Sequence, residues 1–223
     1  MDTGLDVIIK LTRAGEVWVE SEGVTKTPPK QVDPYELARL FMKFFSVEGH
    51  QISMELPESC VHVQIFYDAN NNDGAVLGSS FILFRPAQVR KVLFFDDEYT
   101  VPLPPLLFKY YLLADAKISS SCVFAVELSD PGLLRDDTML YHFPYGENVY
   151  GDGRMCHGTN RLPEIKSPRQ LSSLPEYFLQ LPFTGGNRDI FEHMNGKPVF
   201  PSRLLEPFSC KYAWLKQGQL SYY

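Results

Sequence analysis

The sequence predicts an α+β fold: a helix packed on an antiparallel β-meander, then an irregular segment presenting a cysteine, then a C-terminal helix, with a β-hairpin extension ahead of them all. Three observations predict it. Leu37, Leu40, Phe41, Phe44 and Phe45 recur at helical spacing. Five short apolar or alternating runs follow, separated by clusters of turn-forming residues. Beyond a turn dense in Gly and Asp, the stripe Leu174, Tyr177, Phe178 and Leu181 stands behind two serines able to cap a helix. Residues 1–32 read as hairpin extension and linker, and residues 33–223 as the main domain with an irregular tail.

In chain order, Val7–Leu11 and Val17–Val19 alternate apolar and polar residues around Arg13-Ala14-Gly15-Glu16, which predicts the hairpin. Thr25–Val32, with Pro28 and Pro29, reads as a linker. Asp33 as N-cap and Pro34 at the first helical position then open a helix over about 34–46. Strands follow at Val61–Phe66, Ser80–Phe84, Val89–Phe95, Leu106–Leu113 and Cys122–Leu128, with turns at Asp68–Gly74, Asp96-Asp97-Glu98 and Ala114–Lys117. Asp68, Asn70, Asn72 and Gly74 partly mimic a calcium loop. However, Gly74 comes one position late and no Glu closes the loop, so it reads as a solvated hairpin tip. After Cys156 the chain is irregular through Pro168. A helix capped by Ser172 or Ser173 runs to Leu181, where Pro182 ends it. A short helix at Arg188–Met194 and a mostly looped tail complete the chain.

Composition bounds the function. The chain of 223 residues is 44% hydrophobic and 22% charged, enough for one globular domain with a sizeable core. Twenty-one Lys and Arg against 27 Asp and Glu leave a net charge of −6, which argues against a nucleic-acid or anionic-membrane partner, since those require a basic face. Cys60, Cys122, Cys156 and Cys210 lie far apart, with no Cys-x-x-Cys pair to suggest zinc or redox chemistry. No apolar run is long enough to span a bilayer and the N-terminus carries no basic leader, so the expected setting is cytoplasmic with reduced thiols.

The chemistry concentrates in Leu140–Pro163, where Gly151, Asp152 and Gly153 make a turn between Asn148-Val149 and Met155-Cys156. Such a turn permits positive φ and folds Asn148 back beside Cys156. A thiolate attacking an acyl group creates a tetrahedral oxyanion, and an amide N–H placed nearby stabilises it, a contribution of roughly 100- to 1000-fold in rate. Cysteine and positioned amide together point to acyl transfer.

The same residues resemble ubiquitin-conjugating enzymes. Asn148, Val149, Gly153, Met155 and Cys156 fall in the register of that family's motif, while Gly146 and Glu147 stand where the family has His and Pro. Thr138, Leu140, Tyr141, Pro144, Asn148-Val149, Asp152-Gly153-Arg154, Cys156, Gly158 and Leu162-Pro163, then Phe178, Phe183-Thr184 and Asn187, are similar to the prokaryotic ubiquitin-conjugating-like family D, the branch that includes protein B of PRTRC cassettes. The resemblance implies a ubiquitin-conjugating-enzyme-like fold, with the helix over 34–46 meeting the activating enzyme. It implies a thioester on Cys156, Asn148 as oxyanion donor, and no metal or organic cofactor. The implied partners are a ubiquitin-like protein, a ThiF-like activating enzyme and a JAB-type metalloprotease, in a plasmid cassette or in phage defence.

Around the thiol, Asp152, Asn160 and Glu164 are candidates to orient an incoming amine, and Arg154 to steer an acidic tail; each reads equally as a loop residue. His157 is a candidate base beside Cys156, although adjacent side chains usually point apart. Two rivals stand. A catalytically inactive scaffold that binds a ubiquitin-like protein or activating enzyme predicts a buried or unreactive Cys156, and a cysteine hydrolase predicts His142 or His193 at the sulfur.

Overall fold

The computed structural model describes residues 6–11, 17–22, 27–32, 56–67, 76–146, 148–160, 162–185 and 188–217. The helix expected over 34–46 and the loop Asp68–Gly74 lie outside the described residues.

Among the described residues, nine strands form one antiparallel sheet, and two more form a separate ribbon. In chain order they are β1 (Asp6–Leu11), β2 (Val17–Glu22), β3 (Thr27–Val32), β4 (Cys60–Tyr67), β5 (Val76–Arg85), β6 (Gln88–Phe94), β7 (Asp97–Leu103), β8 (Leu106–Leu113), β9 (Ile118–Ala125), β10 (Met139–Tyr141) and β11 (Pro207–Lys211). The sheet runs β11-β10-β9-β8-β5-β4-β1-β2-β3. The expected N-terminal hairpin is present as β1 and β2, and β1 also pairs with β4 through Ile9↔Val63, so the hairpin continues the sheet.

Four sequence expectations are corrected. Thr27–Val32, read as linker, is β3, the terminal strand. Pro28 and Pro29 lack N–H donors and are tolerated in a sheet at an edge or a bulge, and the β2–β3 register shifts between Val19 and Ser21, opposite them. The expected meander is interrupted, because β5 pairs with β8 and the β6–β7 ribbon folds away from the sheet. Pro86 and the Pro104-Pro105 pair flank that ribbon and break the ladder at both ends. Asp97 and Glu98, read as turn, already belong to β7, and the turn itself is Phe95-Asp96. Finally, the tail is not mostly loop: β11 pairs with β10, and a short helix follows at Tyr212–Lys216.

The sheet is covered on both faces, which explains why β8 and β9 read as near-continuous apolar runs. Phe81, Leu83, Phe108, Tyr110, Val123 and Ala125 face a core shared with the ribbon and with two helices, α1 (Leu174–Gln180) and α2 (Arg188–Met194). On the other face Ile82, Leu107, Cys122 and Phe124 pack against Phe208, Tyr212 and Leu215, the last two on α3 (Tyr212–Lys216). Lys109, alternating onto this second face of β8, is 3% exposed and donates from Nζ to Leu215 O and Gln217 O, both at 2.8 Å. These are C-terminal carbonyls of α3 that would otherwise lack donors. Burial lowers the Lys109 ammonium to about 8.

α1 matches its predicted span, with Pro175 in its first turn and Leu181 ending it. The side-chain cap comes earlier than expected: Ser173 makes no capping bond, whereas Ser167 and Gln170 form a reciprocal capping box on a 3₁₀ turn, Pro168–Ser173, that leads into α1.

Candidate active site

The segment around Cys156 is built as an extra strand stub on β9. Met155 N donates to Ser121 O and Val123 N donates to Gly153 O, both at 2.9 Å. Beyond it, the same edge of β9 meets β10 at Ala125↔Tyr141. The stub doubles back on itself, with Val149 bridging Met155, Tyr150 N donating to Arg154 O at 2.8 Å, and Cys156 N donating to Asn148 O at 2.7 Å. The backbone of Asn148 therefore lies beside Cys156, as the Gly/Asp turn predicts. Gly153 makes the reversal possible, since its φ is +86° and a Cβ there would fall 2.1 Å from Cζ of Phe124.

The side chain of Asn148 points into the protein. It is 7% exposed, donates from Nδ2 to Pro182 O at 2.9 Å, and accepts at Oδ1 from Thr184 N at 3.2 Å. These bonds tie the cysteine loop to the chain leaving α1. Phe183, between them, bridges Phe94 on the β6–β7 ribbon in parallel and stacks on Phe143 at 5.7 Å.

Cys156 is partly exposed. Hydrogen bonds to its sulfur, first from the Tyr150 side chain and then from the Gly158 backbone N–H, hold the thiol below its ordinary value against a smaller effect of desolvation. Tyr150 is 52% exposed, and its hydroxyl titrates above its ordinary value because it donates to the sulfur. The Arg154 guanidinium lies over the Tyr150 ring, 5.6 Å from its centroid. Asp152 holds that guanidinium in turn: its carboxylate accepts from Arg154 Nε at 2.6 Å and from Arg154 N at 3.0 Å. Sequence reasoning missed Tyr150. The available signal was its symmetry with Arg154 across the Gly/Asp turn, which puts the two side chains on one face of a tight hairpin.

His157 turns away from Cys156 toward the sheet. Its Nε2 lies 2.9 Å from Ser121 Oγ, its ring meets Phe178 edge-on, and its Nδ1 is buried without a partner. Desolvation lowers its pKa, so the ring is neutral at pH 7. His142 packs edge-on against Phe208, and His193 is exposed in the last turn of α2. The groups acting on the Cys156 sulfur include no imidazole. Asn160 donates to His157 O at 3.0 Å, and Glu164 is exposed.

Residues 61–206 match the protein family described as Prokaryotic E2 family D. The chain belongs to that family. The matched span holds the ribbon, the cysteine hairpin, α1 and α2 of this family D protein, and begins within β4. No curated protein and no solved structure matches the chain. Membership of an E2-like family makes ubiquitin-conjugating-like transfer the activity class it suggests. Among the described residues, no helix is long and apolar enough to cross a membrane, and no group of three His, Cys, Asp or Glu side chains is disposed to hold a metal.

Proposed function

We propose that this family D protein accepts the C-terminal acyl group of a ubiquitin-like protein on Cys156 and passes it to an amine or another nucleophile. The observation that carries the reading is the sulfur itself: partly exposed and hydrogen-bonded toward the thiolate, on a hairpin that the family match includes. In the first step the Cys156 thiolate attacks the thioester carbonyl on a ThiF-like activating enzyme. A new S–C bond forms, the old one breaks, and the donor leaves as thiolate. In the second step an amine forms an N–C bond, the Cys156 S–C bond breaks, and the amine's proton passes to solvent. ATP is consumed by the activating partner, and this chain contributes no metal or organic cofactor.

Asn148, the oxyanion donor expected from the sequence, here turns its amide into the protein onto Pro182 O and Thr184 N, so its part in this reading is to tie the cysteine hairpin to the chain leaving α1. Asp152 holds Arg154 over the Tyr150 ring, and His157, neutral and held at Ser121, is a wall of the site rather than the base for the sulfur. The setting we propose is cytoplasmic, in a phage-defence or plasmid cassette whose JAB-type metalloprotease reverses the conjugation.

The test is incubation with the activating enzyme, the ubiquitin-like protein and ATP, read on a non-reducing gel. A thiol-sensitive adduct that Cys156→Ser abolishes is the expected result. Binding of both partners with no adduct would replace the carrier with a scaffold that only docks them.

A further inference from the structure

A cleft of about 370 Å³ lies apart from the cysteine hairpin, at the foot of the β6–β7 ribbon. It opens where β7 passes through Pro104-Pro105 into β8, between the ribbon, the end of β9 and the chain that follows α2. Leu103, Val126, Phe200 and Leu205 make its buried walls. Its lips carry Val89, 48% exposed, and Val199, 70% exposed. Large apolar side chains left in water around a concavity of ligand size mark a surface that a partner covers. At the strand rise per residue, Val126 stands about 16 Å along the line of β9 from Ser121, whose carbonyl holds the cysteine hairpin through Met155 N.

The lining fixes the chemistry of what fits. Pro102, Pro104, Pro105 and Pro198 bring carbonyl oxygens and no N–H. The N–H groups of Val126 and Leu205 are already taken, by Pro105 O and Ser202 O, both at 2.9 Å. Among the described residues, Glu127 is the only ionisable side chain that lines the cleft. Its Oε2 accepts from the Tyr141 hydroxyl at 2.5 Å, which orients the carboxylate, and no described residue donates to its Oε1. Backbone donors are thus scarce, and one oriented negative charge stands beside aliphatic walls. The complement is a group that donates and carries positive charge on an apolar stem, which describes a lysine or arginine side chain.

We propose that this cleft docks an extended segment of a partner protein in which one lysine or arginine stands among aliphatic residues, the cation on Glu127 and the aliphatic side chains against Val89 and Val199. A small free amine would satisfy Glu127 but leave both valines in water, whereas a peptide segment covers all three. The partner is held at a point remote from the thiol, so Cys156 stays open while the cleft is filled. Nothing in this inference rests on the carrier reading above.

The test pans a phage-displayed library of random peptides against the full chain, then titrates the enriched sequence, made as a fluorescein-labelled peptide, by anisotropy. The expected consensus is one Lys or Arg flanked by aliphatic residues, with saturable binding. Glu127→Gln keeps an acceptor for Tyr141 and removes the charge, and it weakens binding about tenfold, the worth of one charge-assisted bond. Val199→Ser weakens it several-fold. Both residues are exposed, so thermal unfolding midpoints stay unchanged in the two variants. Cys156→Ser binds the peptide as the unsubstituted protein does, so an absent thioester adduct in the partner assay leaves this site standing. Panning without a consensus, a consensus lacking a basic residue, or equal binding to Glu127→Gln overturns the proposal. So does loss of binding in Cys156→Ser, which would move the peptide to the thiol. Displacement of the peptide by equimolar cadaverine would give the cleft to a small amine instead, and a dimer of the chain alone that Val199→Ser dissolves would give it to a second copy.

Discussion

Cys122 and Cys156 sit on either side of one backbone seam, where β9 pairs with the cysteine hairpin through Cys122↔Arg154, and they are opposite in chemistry. Cys122 is 0% exposed among Ile82, Leu107 and Phe124, and desolvation pushes its thiol up to about 12 although Lys109, its pair on β8, pulls the other way. Cys156, two residues beyond the seam, loses little water and gains two donors, so its thiol falls below the ordinary value. Reactivity is thus decided less by the residue than by whether the backbone delivers hydrogen bonds or hydrocarbon to the sulfur.

The largest test of that contrast is labelling at pH 7. A thiol at about 12 holds a thiolate fraction about a thousandfold below that of an ordinary cysteine. Iodoacetamide should therefore modify Cys156 first, and Cys122 and Cys60, whose thiol burial also raises to about 12, only when the protein unfolds. Early modification of Cys122 in the folded protein would erase the distinction. Next in size is Gly153→Ala, which asks an L-residue to hold φ +86° with its Cβ against the Phe124 ring. Left-handed strain and overpacking together cost about 3 kcal/mol, read as a lower urea midpoint. If the urea midpoint stays put, the seam is not pinned where the geometry puts it. The smallest is Asn148→Ala. Leaving Pro182 O and Thr184 N without this partner costs about 2 kcal/mol, while the pH profile of Cys156 alkylation keeps its midpoint, because no side-chain atom of Asn148 acts on the sulfur. A moved midpoint would make Asn148 part of the thiol's own environment.

The site was legible where chemistry is local. The Gly/Asp turn, the return of the Asn148 backbone beside Cys156 and the helix at Leu174–Gln180 all follow from turn residues and apolar spacing over fewer than a dozen positions. Pairing partners were not legible. Tyr99, Val101 and Leu103 alternate inward and mark β7, yet nothing local says that β7 leaves the sheet with β6. That choice belongs to the prolines at its ends and to α2, which packs on β7. β11 and α3 have only five residues each, too short for periodicity to register. They form because β10, Lys109 and Asp136 supply contacts from elsewhere, Tyr212 N bonding Thr138 O and Ala213 N bonding Asp136 O. Tyr150 escaped notice because a single tyrosine carries no pattern. Its meaning arises only when the turn puts it across from Arg154.

The three strands that precede the family-matched span bear on how the protein behaves in a crowded solution. Without β1, the Val63–Ile65 stretch of β4 would offer an open row of amides and carbonyls, which is a template for stacking one copy on the next. β1, β2 and β3 move that boundary outward to a strand whose two prolines cannot donate. That edge is therefore a poorer template for a further strand than β4 alone would be.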